Sequence, residues 1–447
     1  MNRIKCDIVI KNCLLLTEEF EIEENMSIAI KDSRIVAVDK KEVIEQDYIS
    51  SETINGKHKI FMPGLIDAHT HICQQLLRGK IMDQLPMIWK RIMVPFESNL
   101  TPEDVRISAQ LANLEMIKSG TTSFSDAGGM YMDEVASVVI ASGLRGAITP
   151  STMDNDSSVP KNMLSTIKEV INRNTDLYNT YHGAGDGRLS IWFSLRTLIS
   201  CSEDLVLKIF EMADEYQTNV HVHMNEYPNE INYSLEHHQK RPIEYLDSLG
   251  VLGPNLVSAH SILLSENEID LIQKNDVKVV HCPISNLGKG MPKTPRLLQS
   301  NIKVGLGTDG TAHAGLSLFN EMKVFRSAMH IGYGVPTYDP LIMPAKTLLN
   351  LAIKGGAQTT FNEDKLGSIT AGKKADLISI DLNQPHIYPS HNLVNTLVEA
   401  VNHTDVKDMI VDGKIIMRNR EVLTLDEEKI IYEGREALKK LTIKAGI

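Results

Sequence analysis

From Pro63 onward, short apolar runs rich in β-branched residues alternate with longer amphipathic segments. Eight such runs can be counted, at residues 65–69, 121–125, 144–149, 189–195, 219–224, 257–260, 277–281 and 304–308. Strand-length runs that alternate with helix-length segments are typical of βα units and a parallel sheet. Eight consecutive units therefore predict an α/β fold, a (β/α)8 TIM barrel with elaborated loops.

The segments between the runs have recognisable helix ends. Thr101 precedes a proline and two acidic residues, which together favour a helix start, and Gly120 suits the C-terminal cap of the same helix. Further helices are predicted over residues 131–142, 160–173, 203–216, 265–275 and 316–330.

Both ends of the chain are predicted to be β-rich. Short β-branched runs separated by turn residues fill the first sixty positions, and similar runs return after Gly367, with Asp412-Gly413 as a hairpin turn. Because a short sheet at each end would lack a partner face, we expect the two ends to pack together as one small β-sandwich. The predicted divisions are residues 1–62 for its N-terminal part, 63–365 for the barrel, and 366–447 for its C-terminal part with a terminal helix.

Charge and cysteine content narrow the functional class. The 46 basic and 57 acidic residues give a net charge of −11, and no dense basic patch predicts a nucleic-acid or anionic-membrane partner. The five cysteines are scattered and form no C-x-x-C pair, which is typical of reduced thiols. No N-terminal signal pattern or membrane-length apolar run is present. We expect a cytoplasmic protein that acts on a small molecule.

Polar side chains end five of the eight predicted strands. In a barrel the carboxyl ends of all strands meet at one face, so these groups are expected to converge. Because the chain has only 15 histidines in 447 residues, their concentration at strand ends indicates a common site. The groups are His69 and His71 at the end of run one, His221, His223 and Glu226 at the end of run five, His260 at the end of run six, His281 at the end of run seven, and Asp309 directly after run eight.

Imidazole and carboxylate groups in this arrangement are typical of a catalytic metal centre. Three or four N/O ligands with one open position suit a single divalent ion, with Zn²⁺ as the default and Fe²⁺ as an alternative. Zinc would lower the pKa of a bound water towards ~7 and supply hydroxide at neutral pH. Asp309 can both ligate and accept the water proton, and Glu226, beyond the strand, suits a proton shuttle. His260 either ligates or orients the attacking water.

Several stretches together resemble the amidohydrolase superfamily. Within it, the chain is similar to the branch of 5-methylthioadenosine/S-adenosylhomocysteine deaminases, guanine and 8-oxoguanine deaminases, and triazine (atrazine) chlorohydrolases. The matching stretches are Pro63-Gly-Leu-Ile-Asp-Ala-His-Thr-His71, His223-Met-Asn-Glu226, Ala259-His260, Ser285-Asn286 and Gly305-Leu-Gly-Thr-Asp-Gly310, with two more near residues 367–376 and 411–414.

The resemblance implies a mononuclear site and assigns roles to its residues. The implied metal ligands are His69, His71, His223 and Asp309. Glu226 would deliver a proton to a ring nitrogen or leaving group, and His260 would assist the hydroxide. Dinuclear members carry a lysine at the end of strand four, where this chain has no lysine, and this favours one metal. Alternation leaves His221 open as another ligand, but we expect it to be a packed, hydrogen-bonded histidine of the barrel. We expect His281 beside the site and His313 near the substrate.

Two residues bear on the substrate. Glu97 matches a glutamate that holds ribose hydroxyls in the adenosine-type enzymes, and Arg196 stands where those enzymes carry a histidine facing the purine. An arginine suits an oxo-substituted ring or a carboxylate. The function predicted is hydrolytic deamination of an aminated N-heterocycle (purine, adenosine-type nucleoside or pterin) with release of ammonia.

Three alternatives stay open. One is a triazine-type hydrolase that displaces chloride or alkylamine, and another is a cyclic-amide hydrolase, which the missing lysine disfavours. The third, a scaffold without activity, would be expected to have lost a ligand, and none is missing. The resemblance also implies a homo-oligomer, either a dimer or a tetramer.

Overall fold

The computed structural model describes residues 3–85, 88–155 and 159–445. Its strands are β1 (Ile4–Leu16), β2 (Ile22–Lys31), β3 (Arg34–Lys40), β4 (Tyr48–Asn55), β5 (Lys59–Pro63), β6 (Leu65–His71), β7 (Thr121–Asp126), β8 (Arg145–Ile148), β9 (Leu189–Ile191), β10 (Phe193–Leu195), β11 (Val220–Met224), β12 (Leu256–His260), β13 (Lys278–His281), β14 (Val304–Leu306), β15 (Asp309–Gly310), β16 (Leu377–Asp381), β17 (Val406–Val411), β18 (Lys414–Arg418) and β19 (Glu421–Val422).

The α-helices are α1 (Lys41–Asp47), α2 (Val94–Glu97), α3 (Pro102–Ser119), α4 (Met132–Ser142), α5 (Ile167–Tyr181), α6 (Ala184–Gly187), α7 (Glu203–Glu215), α8 (Pro228–His238), α9 (Pro242–Ser248), α10 (Glu266–Lys274), α11 (Pro283–Asn286), α12 (Thr294–Gln299), α13 (Leu318–Met329), α14 (Val335–Thr337), α15 (Ala345–Asn350), α16 (Gly356–Thr359), α17 (Leu393–Glu399) and α18 (Glu427–Ala445).

Two parallel sheets close into the predicted barrel. Their orders are β15-β6-β7-β8-β9 and β10-β11-β12-β13-β14. The fourth predicted run is divided into β9 and β10, while the eighth contains only β14 and is followed by the separate strand β15. The two sheets meet at two junctions. At the first, the backbone N–H of Trp192, between β9 and β10, donates to the backbone oxygen of Ile148 on β8 at 3.0 Å. At the second junction, the backbone N–H of Gly307 donates to the backbone oxygen of His281 at 2.9 Å, and that of Thr308 donates to the backbone oxygen of His69 at 3.1 Å. The eight-stranded barrel is thereby confirmed.

Most predicted helix ends are confirmed, with one exception. The Thr101 side chain caps α3 in a capping box, and Gly120 closes that helix with a left-handed φ of 90°. The helix predicted over residues 160–173 is wrong at both ends, because α5 begins only at Ile167 and continues to Tyr181. Its start is set by the hydroxyl of Thr166, which accepts the backbone N–H of Glu169.

The two ends of the chain form one nine-stranded sheet. Its order is β19-β18-β17-β16-β5-β1-β2-β3, with β4 paired to β1, so the sequence-distant strands β5 and β16 lie side by side at its centre. The predicted hairpin turn joins β17 to β18, and both Asp412 (φ 51°) and Gly413 (φ 76°) adopt the left-handed conformation that such turns require. The joint terminal β domain is confirmed, while the three residue boundaries stay a prediction.

A buried ion network attaches this sheet to the amino ends of the barrel strands. Arg145, the first residue of β8, contacts Asp376 at 3.0 Å and Asp412 at 3.2 Å. Lys374 also contacts Asp412, at 2.6 Å. The carboxyl ends of the barrel strands, at the opposite face, are thus left free for a site. Among the described residues, no helix is both long enough and apolar enough to span a membrane.

Candidate active site

The predicted ligands converge at the carboxyl face of the barrel. His69 and His71 are two apart on β6, so their side chains leave the same face of the strand. His223 on β11 and Asp309 at the start of β15 reach the same point from other sides of the barrel. All four side chains are buried. Residues up to 240 positions apart in the chain are thereby brought into one cluster.

Three distances between donor atoms of these groups are close to those around one tetrahedral ion. Nε2 of His71 lies 3.1 Å from Nε2 of His223. Oδ1 of Asp309 lies 3.5 Å from Nε2 of both His69 and His71. Tetrahedral zinc with ligand bonds of about 2.0–2.1 Å places neighbouring donor atoms about 3.3 Å apart. Nε2 of His69 is buried and has no hydrogen-bond partner among the described residues, as expected of an atom that faces a metal.

The protonation states suit metal binding. Burial, reinforced by the nearby Arg196 cation, lowers the pKa of His71 and His223 well below the usual range, so each imidazole keeps a free lone pair. Burial by itself raises the pKa of Asp309, but the close approach of the His69 ring, whose Nε2 lies 3.5 Å from the carboxylate, and the other imidazoles around it outweigh that effect and hold the pKa well below its usual range. His71 and His223 therefore offer neutral nitrogen donors, and Asp309 offers a carboxylate.

His221 supports a predicted ligand in this arrangement. It lies on the same face of β11 as His223, and its Nε2 is 2.9 Å from Nδ1 of His69. A hydrogen bond at the second nitrogen fixes the ring orientation of a ligating histidine. His281 is turned elsewhere, since its Nδ1 donates to the backbone oxygen of His260 at 2.8 Å. Both placements agree with the expectations for these residues, although their roles stay predictions.

The proton position on His260 follows from a hydrogen-bond chain. The backbone N–H of Cys282 donates to Oδ1 of Asn286 at 2.9 Å, which orients the side-chain amide. Nδ2 of Asn286 consequently donates to Nδ1 of His260 at 2.9 Å. Burial lowers the pKa of His260 well below its usual range, so the ring is neutral and its proton is on Nε2. This geometry favours His260 as a hydrogen-bond donor over a ligand.

Cys282 lies close to the same centre, which the sequence did not indicate. Its sulfur and donor nitrogens of His69 and His260 lie within 4.8 Å of one another. Burial raises the pKa of the Cys282 thiol well above its usual range. A neutral thiol is a weak ligand compared with the carboxylate of Asp309. The four predicted ligands therefore remain the stronger donor set.

Glu226 has a partner that sequence reasoning missed. Its Oε1 is 2.5 Å from Nζ of Lys289, and its Oε2 is 3.7 Å from Nε2 of His260. Lys289 lies three residues after Asn286, between two glycines. Apart from the presence of a lysine in this short segment, nothing in the sequence indicated that it would contact Glu226. Glu226 is thus held beside the predicted metal centre at the edge of a cavity.

That cavity has a volume of about 550 Å³, which suits a small organic ligand. Its floor carries His71, His223, Glu226, His260 and Asp309. Its wall includes Ile88, Trp89, Met93, Arg196, Tyr227 and His313. A second cavity of about 740 Å³, beside α3 and α18, contains none of the predicted site residues.

The two predicted substrate residues contact each other. Nη2 of Arg196 lies 3.3 Å from Oε1 of Glu97, and Nε2 of Gln74 donates to the same oxygen at 2.8 Å. Arg196 lines the cavity, and its Nη1 is buried with no hydrogen-bond partner among the described residues. Glu97 is 2% exposed and lies behind the arginine. Sequence reasoning did not identify Gln74, which is three residues beyond His71.

His313 lies where it was expected. Its Nε2 is 3.7 Å from Oδ2 of Asp309, and the ring lines the cavity. A substrate above the predicted metal would therefore contact this ring. Burial lowers the pKa of His313, so the ring is neutral near pH 7.

Comparison with known proteins identifies relatives along the whole chain. A model of the amidohydrolase family matches residues 60–416. A 5-methylthioadenosine/S-adenosylhomocysteine deaminase of Thermoanaerobacter pseudethanolicus is 35% identical over 443 residues, covering 97% of this chain and 99% of that protein. A 5'-deoxyadenosine deaminase of Methanobrevibacter smithii is 36% identical over 439 residues, covering 97% of this chain and 98% of that one.

The fold also matches a solved structure. An adenosine deaminase from Xanthomonas campestris, crystallised with bound zinc, superposes with a TM-score of 0.93 at 27% identity. The match covers 99% of this chain and 100% of the other.

Proposed function

The chain belongs to the amidohydrolase family, and we propose that it deaminates an aminated N-heterocycle by hydrolysis and releases ammonia. The observation that carries this proposal is the cluster of His69, His71 and His223, with Asp309 at 3.5 Å from two of them, at and beneath the floor of a ligand-sized cavity that Glu226 and His260 also line. Relatives named as nucleoside deaminases support the same reaction.

His69, His71, His223 and Asp309 would hold one divalent ion. We propose Zn²⁺, because three imidazoles and one carboxylate at these spacings suit it, with Fe²⁺ as the alternative. The ion would supply Lewis acidity that lowers the pKa of the attacking water. The chain's own residues must then position the substrate and move two protons.

In the proposed reaction Glu226 transfers protons and His260 donates a hydrogen bond. Water adds to the ring carbon that bears the amine, and the bond between that carbon and the amine nitrogen breaks. One proton of the water goes to the adjacent ring nitrogen and the other to the departing amine, giving the oxo product and ammonia. Glu226 carries these protons through its carboxylate. His260 donates from Nε2 to the oxygen that adds, which orients it and stabilises its charge.

We propose an adenosine-type nucleoside as the first substrate to test. The relatives described above are named for such substrates, and the cavity volume of about 550 Å³ is sufficient for a small nucleoside. A second candidate is a ring that already carries an oxo group. It is favoured by Arg196, which lines the cavity and whose Nη2 is occupied by Glu97, while its buried Nη1 has no hydrogen-bond partner among the described residues. A carbonyl oxygen would satisfy that donor.

The test is an ammonia-release screen with the zinc-loaded protein. The panel contains 5'-deoxyadenosine, 5'-methylthioadenosine, S-adenosylhomocysteine, adenosine, adenine, guanine, a pterin, cytosine and an aminotriazine. Release of ammonia from one class of compound in the panel identifies the substrate class. Turnover of a chlorinated triazine or a cyclic amide without any ammonia release from the panel would refute the deaminase proposal.

Glu226→Gln is the matched catalytic control. Glu226 is not a proposed ligand, so the variant should keep about one metal per chain and lose turnover by roughly 10²–10⁴-fold. Two metal equivalents in the wild-type protein would contradict the mononuclear site. The cytoplasmic location and the homo-oligomeric state stay predictions, and light scattering of the purified chain tests the latter.

A further inference from the structure

Lys289 is a largely buried lysine that has no part in the proposed chemistry. Its side chain is only 10% exposed. Its ammonium contacts Oε1 of Glu226 at 2.5 Å and lies 4.8 Å from the centre of the Tyr227 ring. Lysine is rarely buried unless it is paired, and it carries a large desolvation cost when it is. A lysine in this position therefore calls for an explanation in terms of its partner.

We propose that Lys289 is a positioning residue that occupies one carboxylate oxygen of Glu226 and leaves the other oxygen to transfer the proton. This inference rests on the proposed function of Glu226. The two oxygens are in different surroundings, since Oε1 meets Lys289 while Oε2 faces Nε2 of His260 at 3.7 Å. A carboxylate held by one oxygen cannot rotate freely, so the reacting oxygen keeps a constant place above the floor of the cavity.

The same turn holds both proton-handling side chains. The backbone N–H of Lys289 donates to the backbone oxygen of Asn286 at 2.8 Å. The Asn286 side chain in turn donates to Nδ1 of His260 at 2.9 Å. The turn over residues 286–289 therefore fixes His260 through one residue and Glu226 through another. Because both attachments are built on one short segment, the spacing between the two groups is set locally.

The pKa of Lys289 is consistent with its ion pair with Glu226. Burial alone lowers the pKa of Lys289, but Glu226, Tyr227 and Asp309 outweigh it and raise that pKa. The lysine thus stays an ammonium and balances negative charge beside the cavity. Lys289 is not itself among the residues that line the cavity, so its action on a substrate must pass through Glu226.

A pair of substitutions separates positioning from simple stabilisation. Lys289→Met should lower kcat by roughly 10- to 100-fold, the cost expected of a misplaced catalytic group, while KM stays near its wild-type value. Lys289→Arg keeps a cation and should restore most of kcat. Lys293→Met is the matched control, because Lys293 follows in the same segment but pairs with Glu266 at 2.8 Å at the surface. The kcat and KM of Lys293→Met should match those of the wild type.

A double-mutant cycle gives the decisive comparison. If Lys289 acts through Glu226, Lys289→Met should cost little further activity in the Glu226→Gln protein. The inference would be overturned if Lys289→Met lowered kcat as much in the Glu226→Gln protein as in the wild type, or if it changed only KM. A failure of Lys289→Arg to recover kcat in a correctly folded protein would also overturn it.

Thermal unfolding supplies a readout that needs no substrate. Lys289→Met should lower the Tm of the wild-type protein by more than it lowers the Tm of Glu226→Gln, because part of the loss comes from leaving the Glu226 charge unpaired. Equal losses in both backgrounds would refute the coupling. Lys289→Gln, measured in the same way, replaces Lys289→Met should the latter fail to fold. If the coupling is present and no amine releases ammonia, the proposed reaction fails while the pairing stands.

Discussion

Replacing Arg145 with methionine should destabilise the protein without affecting its site. The Arg145 guanidinium is 5% exposed and contacts Asp376 through Nε at 3.0 Å and Asp412 through Nη2 at 3.2 Å. Breaking a buried ion pair from one side costs about 3–5 kcal/mol. Lys374 still neutralises Asp412 at 2.6 Å, and Asp376 still accepts the backbone N–H of Asp412 at 2.9 Å. We therefore expect the lower value, about 3 kcal/mol.

For a chain of 447 residues that unfolds as one unit, this loss corresponds to a Tm about 3 °C lower, at an unfolding entropy of about 2.1 cal/mol/K per residue. Scanning calorimetry of the zinc-loaded protein measures it, and kcat/KM should be unchanged because Arg145 lies at the opposite end of the barrel from the cavity. Lys414→Met is the control, since Lys414 pairs with Asp186 at 3.0 Å in solvent and such pairs contribute about 0–1 kcal/mol. Equal Tm values for the two variants would refute the reasoning.

Three further predictions concern the site. His223→Ala should reduce bound metal well below the one equivalent kept by Glu226→Gln, as elemental analysis can show, because it removes one of four donors. Asn286→Ala should lower kcat by roughly 10–100-fold and change the ¹⁵N resonances of His260, whose tautomer it no longer fixes; unchanged resonances would contradict the assigned proton position. Burial raises the pKa of Glu230 to about 8, above its unfolded value, so its contribution to stability is present at low pH and is lost as pH rises towards 8. The Tm of Glu230→Gln should therefore rise relative to wild type between pH 5 and 8, and a constant difference would show that Glu230 does not titrate there.

The barrel and the cluster of possible metal ligands could be predicted because both depend on local periodicity. An extended strand directs residues two apart to the same side, so His69 and His71 had to share a face. Parallel βα units align the carboxyl ends of their strands, which is why His223 and Asp309 could be joined to them without a measured distance. The break of the fourth strand at Trp192 and the late start of α5 were missed, since such details depend on neighbouring segments.

The sequence by itself therefore determined the barrel, the shared terminal sheet and the convergence of imidazole and carboxylate groups. Only the tertiary structure decided how the polar side chains pair. Glu97 and Arg196 were predicted as separate substrate contacts, yet they form one ion pair with the arginine facing the cavity. The pairing of Lys289 with Glu226 joins a loop to a strand end 63 residues away. Such contacts depend on the paths of loops in three dimensions, which no periodic pattern encodes, because loop conformation is set by the surfaces the loop packs against.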